Sequence, residues 1–147
     1  MKRNSLIVII FILIICNCVG FLTQYLVRNF IFQGVTFNGN ISNLGSSLVT
    51  YSTAMMALLI AMIVILFGMD DLKLKNFKKA GYLHATYLIY MTTFFELGIT
   101  MALSFLCMSN IQSIRIASLS LTFALITFLL ICTLGIQLIS IKKHGGA

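Results

Sequence analysis

The sequence predicts an all-α fold: a polytopic membrane protein built as an antiparallel bundle of four transmembrane helices, with both termini cytoplasmic. Three observations predict it. Hydrophobic residues make up 60% of the 147 and charged residues only 9%, more apolar surface than a soluble domain of this size can bury. Four apolar segments each reach the ~20 residues a helix needs to cross the hydrocarbon core. Positive charge divides unevenly between the connections. Lys2, Arg3, Lys73, Lys75, Lys78, Lys79, Lys142 and Lys143 fall on one side, and Arg28 and Arg115 on the other. The positive-inside rule places the richer side in the cytoplasm. The chain therefore reads as a single membrane domain over 1–147, multi-pass in the plasma membrane.

The first span runs from about Ser5 to Val27. Met1-Lys2-Arg3-Asn4 ahead of an apolar run resembles a signal peptide, but the run is longer than an h-region and lacks a small-x-small cleavage site. It reads as an uncleaved span. The connection from Arg28 to Ser47 carries Asn38-Gly39-Asn40 and Gly45-Ser46-Ser47, both turn-forming signals. Phe30, Ile31, Phe32 and Phe37 suit the headgroup interface. The second span runs from about Leu48 to Gly68. Thr53, Ala57 and Ala61 repeat every four residues in it, beside Thr50, Ala54 and Gly68. Small residues at that spacing let helix backbones approach in lipid. They do not decide whether the neighbour belongs to the same chain or to a second copy in a homo-oligomer.

The connection that follows has the most character outside lipid. Asp70 or Asp71 can cap a helix start. Leu72, Leu74 and Phe77 then alternate with Lys73, Lys75, Lys78 and Lys79, the pattern of a short helix lying on a membrane surface or of a docking surface. The third span, about Gly81 to Leu106, contains the only acid placed at membrane depth, Glu96. The fourth, about Ile114 to Ile141, carries Ser118, Ser120, Thr122, Thr127, Thr133 and Gln137. It leads to Lys142, Lys143 and His144.

Glu96 is the strongest chemical signal. Ionised and unpaired in lipid it would be costly, so it must be protonated, paired or facing a wet cavity. Thr93, Glu96, Thr100 and Ser104 share one helical face, which Thr86 and Tyr90 extend. Asn17, Gln24 and Gln137 are the polar residues on other spans that could meet it. No Lys or Arg lies at comparable depth, which favours a neutral, hydrogen-bonded Glu96 holding helices together. A proton-coupling acid, as in small drug/proton exchangers, is the alternative.

Other chemistry finds little support. Cys16, Cys18, Cys107 and Cys132 form no CxxC pair, and Cys16 and Cys18 point about 200° apart on a helix. His84 and His144 are too few for a metal site. No nucleophile–base–acid set, phosphate loop or HExxH motif occurs, so neither an enzyme nor a cofactor is expected. The net charge of +7 sits at the ends of apolar segments, where it meets anionic lipid headgroups, and direct nucleic-acid binding is not expected.

Chain length, four spans with termini inside, the inner stretch Gly68-Met69-Asp70-Asp71-Leu72 before a basic segment, and His84 at the start of the third span form an outline. It resembles a family of small four-span bacterial membrane proteins that partner LytTR-type transcription regulators. The resemblance implies a membrane-embedded inhibitor that binds and holds such a regulator at the membrane. Its docking surface would comprise Asp70, Asp71, Lys73, Lys75, Lys78, Lys79, His84, Lys142 and Lys143. The intramembrane polar residues Asn17, Gln24, Glu96, Thr100 and Gln137 form the second candidate set. A small transporter or transporter-accessory protein, or an immunity protein against a membrane-active bacteriocin, are the alternative functions.

Overall fold

No proline occurs in the chain, so each apolar run can keep its backbone hydrogen-bond ladder unbroken. The computed structural model describes residues 3–31, 39–68, 82–110 and 113–144. Among them it has four long helices: α1 (Arg3–Leu26), α2 (Ile41–Phe67), α3 (Tyr82–Met108) and α4 (Ile114–His144). α1 continues into a π-helical segment, Val27–Ile31. At ~1.5 Å per residue, even the 24 residues of α1 exceed the ~30 Å hydrocarbon core. All four are long and apolar enough to cross a membrane.

α3 and α4 form the centre of the bundle, α2 covers one side of the pair, and α1 lies mainly on α4 with a smaller contact to α3. The main apolar cluster draws on every helix, with Ile9 and Cys16 from α1, Leu59 from α2, Ile89 and Leu97 from α3, and Ile126, Leu130 and Leu134 from α4. A smaller cluster of Ile41, Cys107 and Ala117 closes the end where α2 and α4 begin. At the opposite, lysine-flanked end the rings of Phe67 and Tyr87 pack 6.1 Å apart. α4 starts from Ser113, whose Oγ accepts from the Arg115 N–H at 3.3 Å and whose carbonyl accepts from Ala117 at 3.1 Å, a side-chain cap of the usual kind.

The structure corrects the second span. α2 begins at Ile41, not Leu48, so Gly45-Ser46-Ser47 is helix rather than turn. The physical reason lies in those residues. Ser46 and Ser47 each return their hydroxyl proton to the Asn43 carbonyl at 2.9 Å, which makes them tolerable in a helix. Gly45 is buried against α3, where a Cβ would stand 2.8 Å from both the Ser104 carbonyl oxygen and Met108 Cγ. The glycine serves a close helix contact. Helical structure likewise extends past Val27 through Arg28–Ile31. The small-residue track on α2 faces outward: Thr50, Thr53, Ala54, Ala57, Ala61 and Gly68 are all exposed and join no helix of this chain.

A buried polar seam as the candidate functional site

The bundle is apolar outside, and its apolar interior carries a polar stripe. α3 turns Met91 and Phe95 outward, each 70% exposed, while Thr93, Thr100 and Ser104 are fully buried. The buried residues Thr86, Ile89, Tyr90, Thr93, Glu96, Leu97, Thr100, Ser104 and Cys107 recur at three- and four-residue steps, one face of the helix. α4 answers with buried Ser120, Thr122 and Thr127, and α2 with Ser52. Lipid offers nothing to hydrogen-bond, so oxygen-bearing side chains collect in the interior.

The hydroxyl protons are committed locally. Thr93 donates to the Ile89 carbonyl at 2.7 Å, Thr100 to Glu96 at 2.8 Å, Ser104 to Thr100 at 2.6 Å and Thr122 to Ser118 at 2.8 Å. Ser52 does the same with Leu48 at 2.9 Å. A hydroxyl has one proton and two lone pairs, so each of these oxygens keeps acceptor capacity toward the interior. Ser104 and Ser120 lie 3.1 Å apart across the α3–α4 contact. Since the Ser104 proton already points at Thr100, Ser120 is the donor in that bond.

Glu96 sits near the middle of α3, 8% exposed. Of its three sequence-nominated partners, Asn17 of α1 is the one that approaches its carboxyl group. The same Asn17 amide donates to the Leu13 carbonyl at 2.9 Å. Gln24 turns to α4 instead, donating to Ser118 Oγ at 3.0 Å. Gln137 meets neither: its Oε1 is buried without a partner among the described residues, as are Glu96 Oε2 and Tyr90 Oη. Three orphaned buried oxygens in so small a bundle are unusual, because buried polar atoms are nearly always paired.

α1 sits over this seam by few ties. Besides the apolar contacts of Ile9 and Cys16, it is tied by the Gln24–Ser118 bond, the approach of Asn17 to Glu96, and a close approach of Gly20 to Ile126, where a Cβ would meet Ile126 Cγ1. α2 is held more firmly. Tyr51 Oη donates to the Ala124 carbonyl at 2.8 Å and lies 3.3 Å from Thr127 Oγ1. The sequence reading missed Tyr51, Gly20 and Ser52. The only cue was an isolated Gly or Tyr within an apolar run.

The candidate docking residues fare differently. Asp70, Asp71, Lys73, Lys75, Lys78 and Lys79 lie outside the described residues. His84 falls in the first turn of α3, and Lys142 and Lys143 in the last turn of α4, both at the lysine-flanked end. The four cysteines are all unbridged; Cys16 and Cys107 are buried, and Cys18 and Cys132 exposed.

Comparison with known proteins bears on what such a seam is for. A family model described as RexB, membrane-anchored ion channel, Abi component, matches residues 4–145. The chain is 29% identical over 142 residues to protein rexB of Escherichia phage lambda, an alignment that covers 97% of this chain and 98% of that protein. No solved structure matches. These matches support a small multi-pass membrane protein and give no support to a LytTR regulator as partner, to transcriptional control or to bacteriocin immunity. Of the functions expected from sequence, the small transporter stands nearest to them. With the match running through all four helices, the chain belongs to the RexB family, described as membrane-anchored ion channels and Abi components.

Proposed function

We propose that this protein passes ions across the membrane as the membrane component of an Abi (abortive-infection) system. The carrying observation is the continuous set of buried oxygens on α3, Thr93, Glu96, Thr100 and Ser104, continued by Ser120 on α4. Apolar contacts alone suffice to pack helices in lipid. A buried row of oxygens serves a different purpose, since it replaces part of the hydration that an ion loses on leaving water. The family description and the relation to phage lambda rexB support the same reading.

The positive charges at the lysine-flanked end orient both termini to the cytoplasm. There, Lys73, Lys75, Lys78, Lys79, Lys142 and Lys143, with Asp70, Asp71 and His84, are the surface on which another component of the system would dock. The test is a flux assay. Purified protein in vesicles holding a potassium gradient should collapse that gradient, read by a voltage-sensitive dye. Vesicles that stay as tight as protein-free ones refute ion passage.

A further inference from the structure

We propose that Glu96 is the specificity-determining residue of this path and selects cations over anions. The inference rests on the conduction reading above and adds the residue that would set its charge selectivity.

Three observations carry it. First, the seam is rich in acceptors. The protons of Thr93, Thr100, Ser104 and Thr122 all point at carbonyls of their own helices, so these side chains turn oxygen lone pairs inward, while Tyr90 and Ser120 keep a hydroxyl proton for the interior. Anions need donors, whereas cations need acceptors. Second, one oxygen of Glu96 has no partner among the described residues although the residue is more than nine-tenths buried. Asn17 meets the carboxyl group but brings no charge. Third, the sequence places no basic residue within the span that carries it or at comparable depth in the others. The sequence has no Lys or Arg between residues 4 and 27, 29 and 72, 80 and 114, or 116 and 141. A carboxylate in a low-dielectric interior has to be matched by a positive charge. Here that charge must come from outside the chain, as a proton at rest and as a permeating cation in passage.

Position sharpens the assignment. Glu96 lies near the middle of α3, at the depth where an ion is farthest from both water phases and its solvation cost is greatest. It lies on the side that α1 covers through Asn17. A single charge there outweighs the dipoles of several hydroxyls, because its attraction falls off only as the inverse of distance.

The experiment measures reversal potentials of the full-length protein in planar bilayers under a potassium chloride gradient. Wild type should show a cation-to-anion permeability ratio well above one. Glu96→Gln, which keeps shape and hydrogen bonding but removes the charge, should lower that ratio at least about tenfold while current persists. Glu96→Asp should preserve it. A merely structural glutamate would leave the ratio of the Gln variant unchanged. If Glu96→Gln does not fold, labelling of wild-type Glu96 by a hydrophobic carbodiimide, located by peptide mass spectrometry, replaces it. Potassium should slow that labelling relative to N-methylglucamine. An unchanged ratio, or equal labelling rates in the two salts, overturns the assignment and leaves conduction standing. A wild-type protein that passes no ion overturns both.

Discussion

Adding one methyl group at Gly20 should loosen α1 and raise ion flux. In Gly20→Ala the new Cβ would run into Ile126 Cγ1 and sit 3.3 Å from its Cδ1 and 3.6 Å from its Cβ. Carbons rest at about 3.5–4.0 Å, so either α1 retreats by more than ~1 Å or Ile126 is driven from its rotamer. Overpacking of this kind costs roughly 1–3 kcal/mol. Applied to a two-state equilibrium between seated and lifted α1, that range is a shift of about 5- to 150-fold. Among the described residues, α1 has the Gln24–Ser118 hydrogen bond and the approach of Asn17 to Glu96 as polar ties to resist it. The assay is potassium efflux from vesicles containing Gly20→Ala, Ile126→Ala, both or neither, at matched protein density. Gly20→Ala should leak faster than wild type, and adding Ile126→Ala, which removes Cγ1, should reverse most of the increase. The coupling energy of the cycle should lie within ~0.5–3 kcal/mol. Equal efflux from wild type and Gly20→Ala, or additive effects with no rescue, would refute the idea that this contact seats α1.

Three further outcomes follow from the packing. Gly45→Ala should destabilise the bundle by about 1–3 kcal/mol in a detergent unfolding titration, and Met108→Ala should not rescue it. The second obstacle is the Ser104 backbone carbonyl, 2.8 Å from the new Cβ, which cannot be trimmed away. Tyr51→Phe removes the donor to the Ala124 carbonyl and should cost about 0.6 kcal/mol, up to ~1.7, the range for interhelical bonds in membranes; no measurable change would show that the contact is idle. A reporter fused after Ala147 should be active only in its cytoplasmic form, and an active periplasmic or extracellular reporter would overturn the orientation drawn from Lys and Arg placement.

The spans were legible because the physics that sets them is one-dimensional. A bilayer of fixed thickness demands a fixed apolar run, and the sequence has four. The buried arc of α3 was legible for the same kind of reason, since Thr93, Glu96, Thr100 and Ser104 recur at helical spacing whatever surrounds them. The start of α2 was not, because Gly45, Ser46 and Ser47 carry two meanings. In water they mark a turn. Inside a membrane bundle the serines satisfy themselves on Asn43, and the glycine makes room for Ser104 and Met108. Which polar residue meets Glu96 depended on lateral helix order, which the lengths of the connections do not encode; Asn17, Gln24 and Gln137 stood equal until α1 was seen to lie on α4. The outward track from Thr50 to Gly68 shows the same limit, since spacing reveals a smooth face but not where it points.

The local commitment of the interior hydroxyls has an evolutionary consequence. Thr93, Thr100, Ser104, Ser52 and Thr122 each donate within their own helix, and the accepting carbonyls also belong to the helical ladder. Except at Ser104, which also meets Ser120 across the α3–α4 contact, exchanging such a residue for alanine strands no hydrogen-bond partner on another helix, unlike a change at Tyr51, whose hydroxyl ties α2 to α4. Assembly and interior polarity are thereby written largely in separate residues. Descendants of this sequence are free to retune the inner surface one hydroxyl at a time while the scaffold that carries it drifts little.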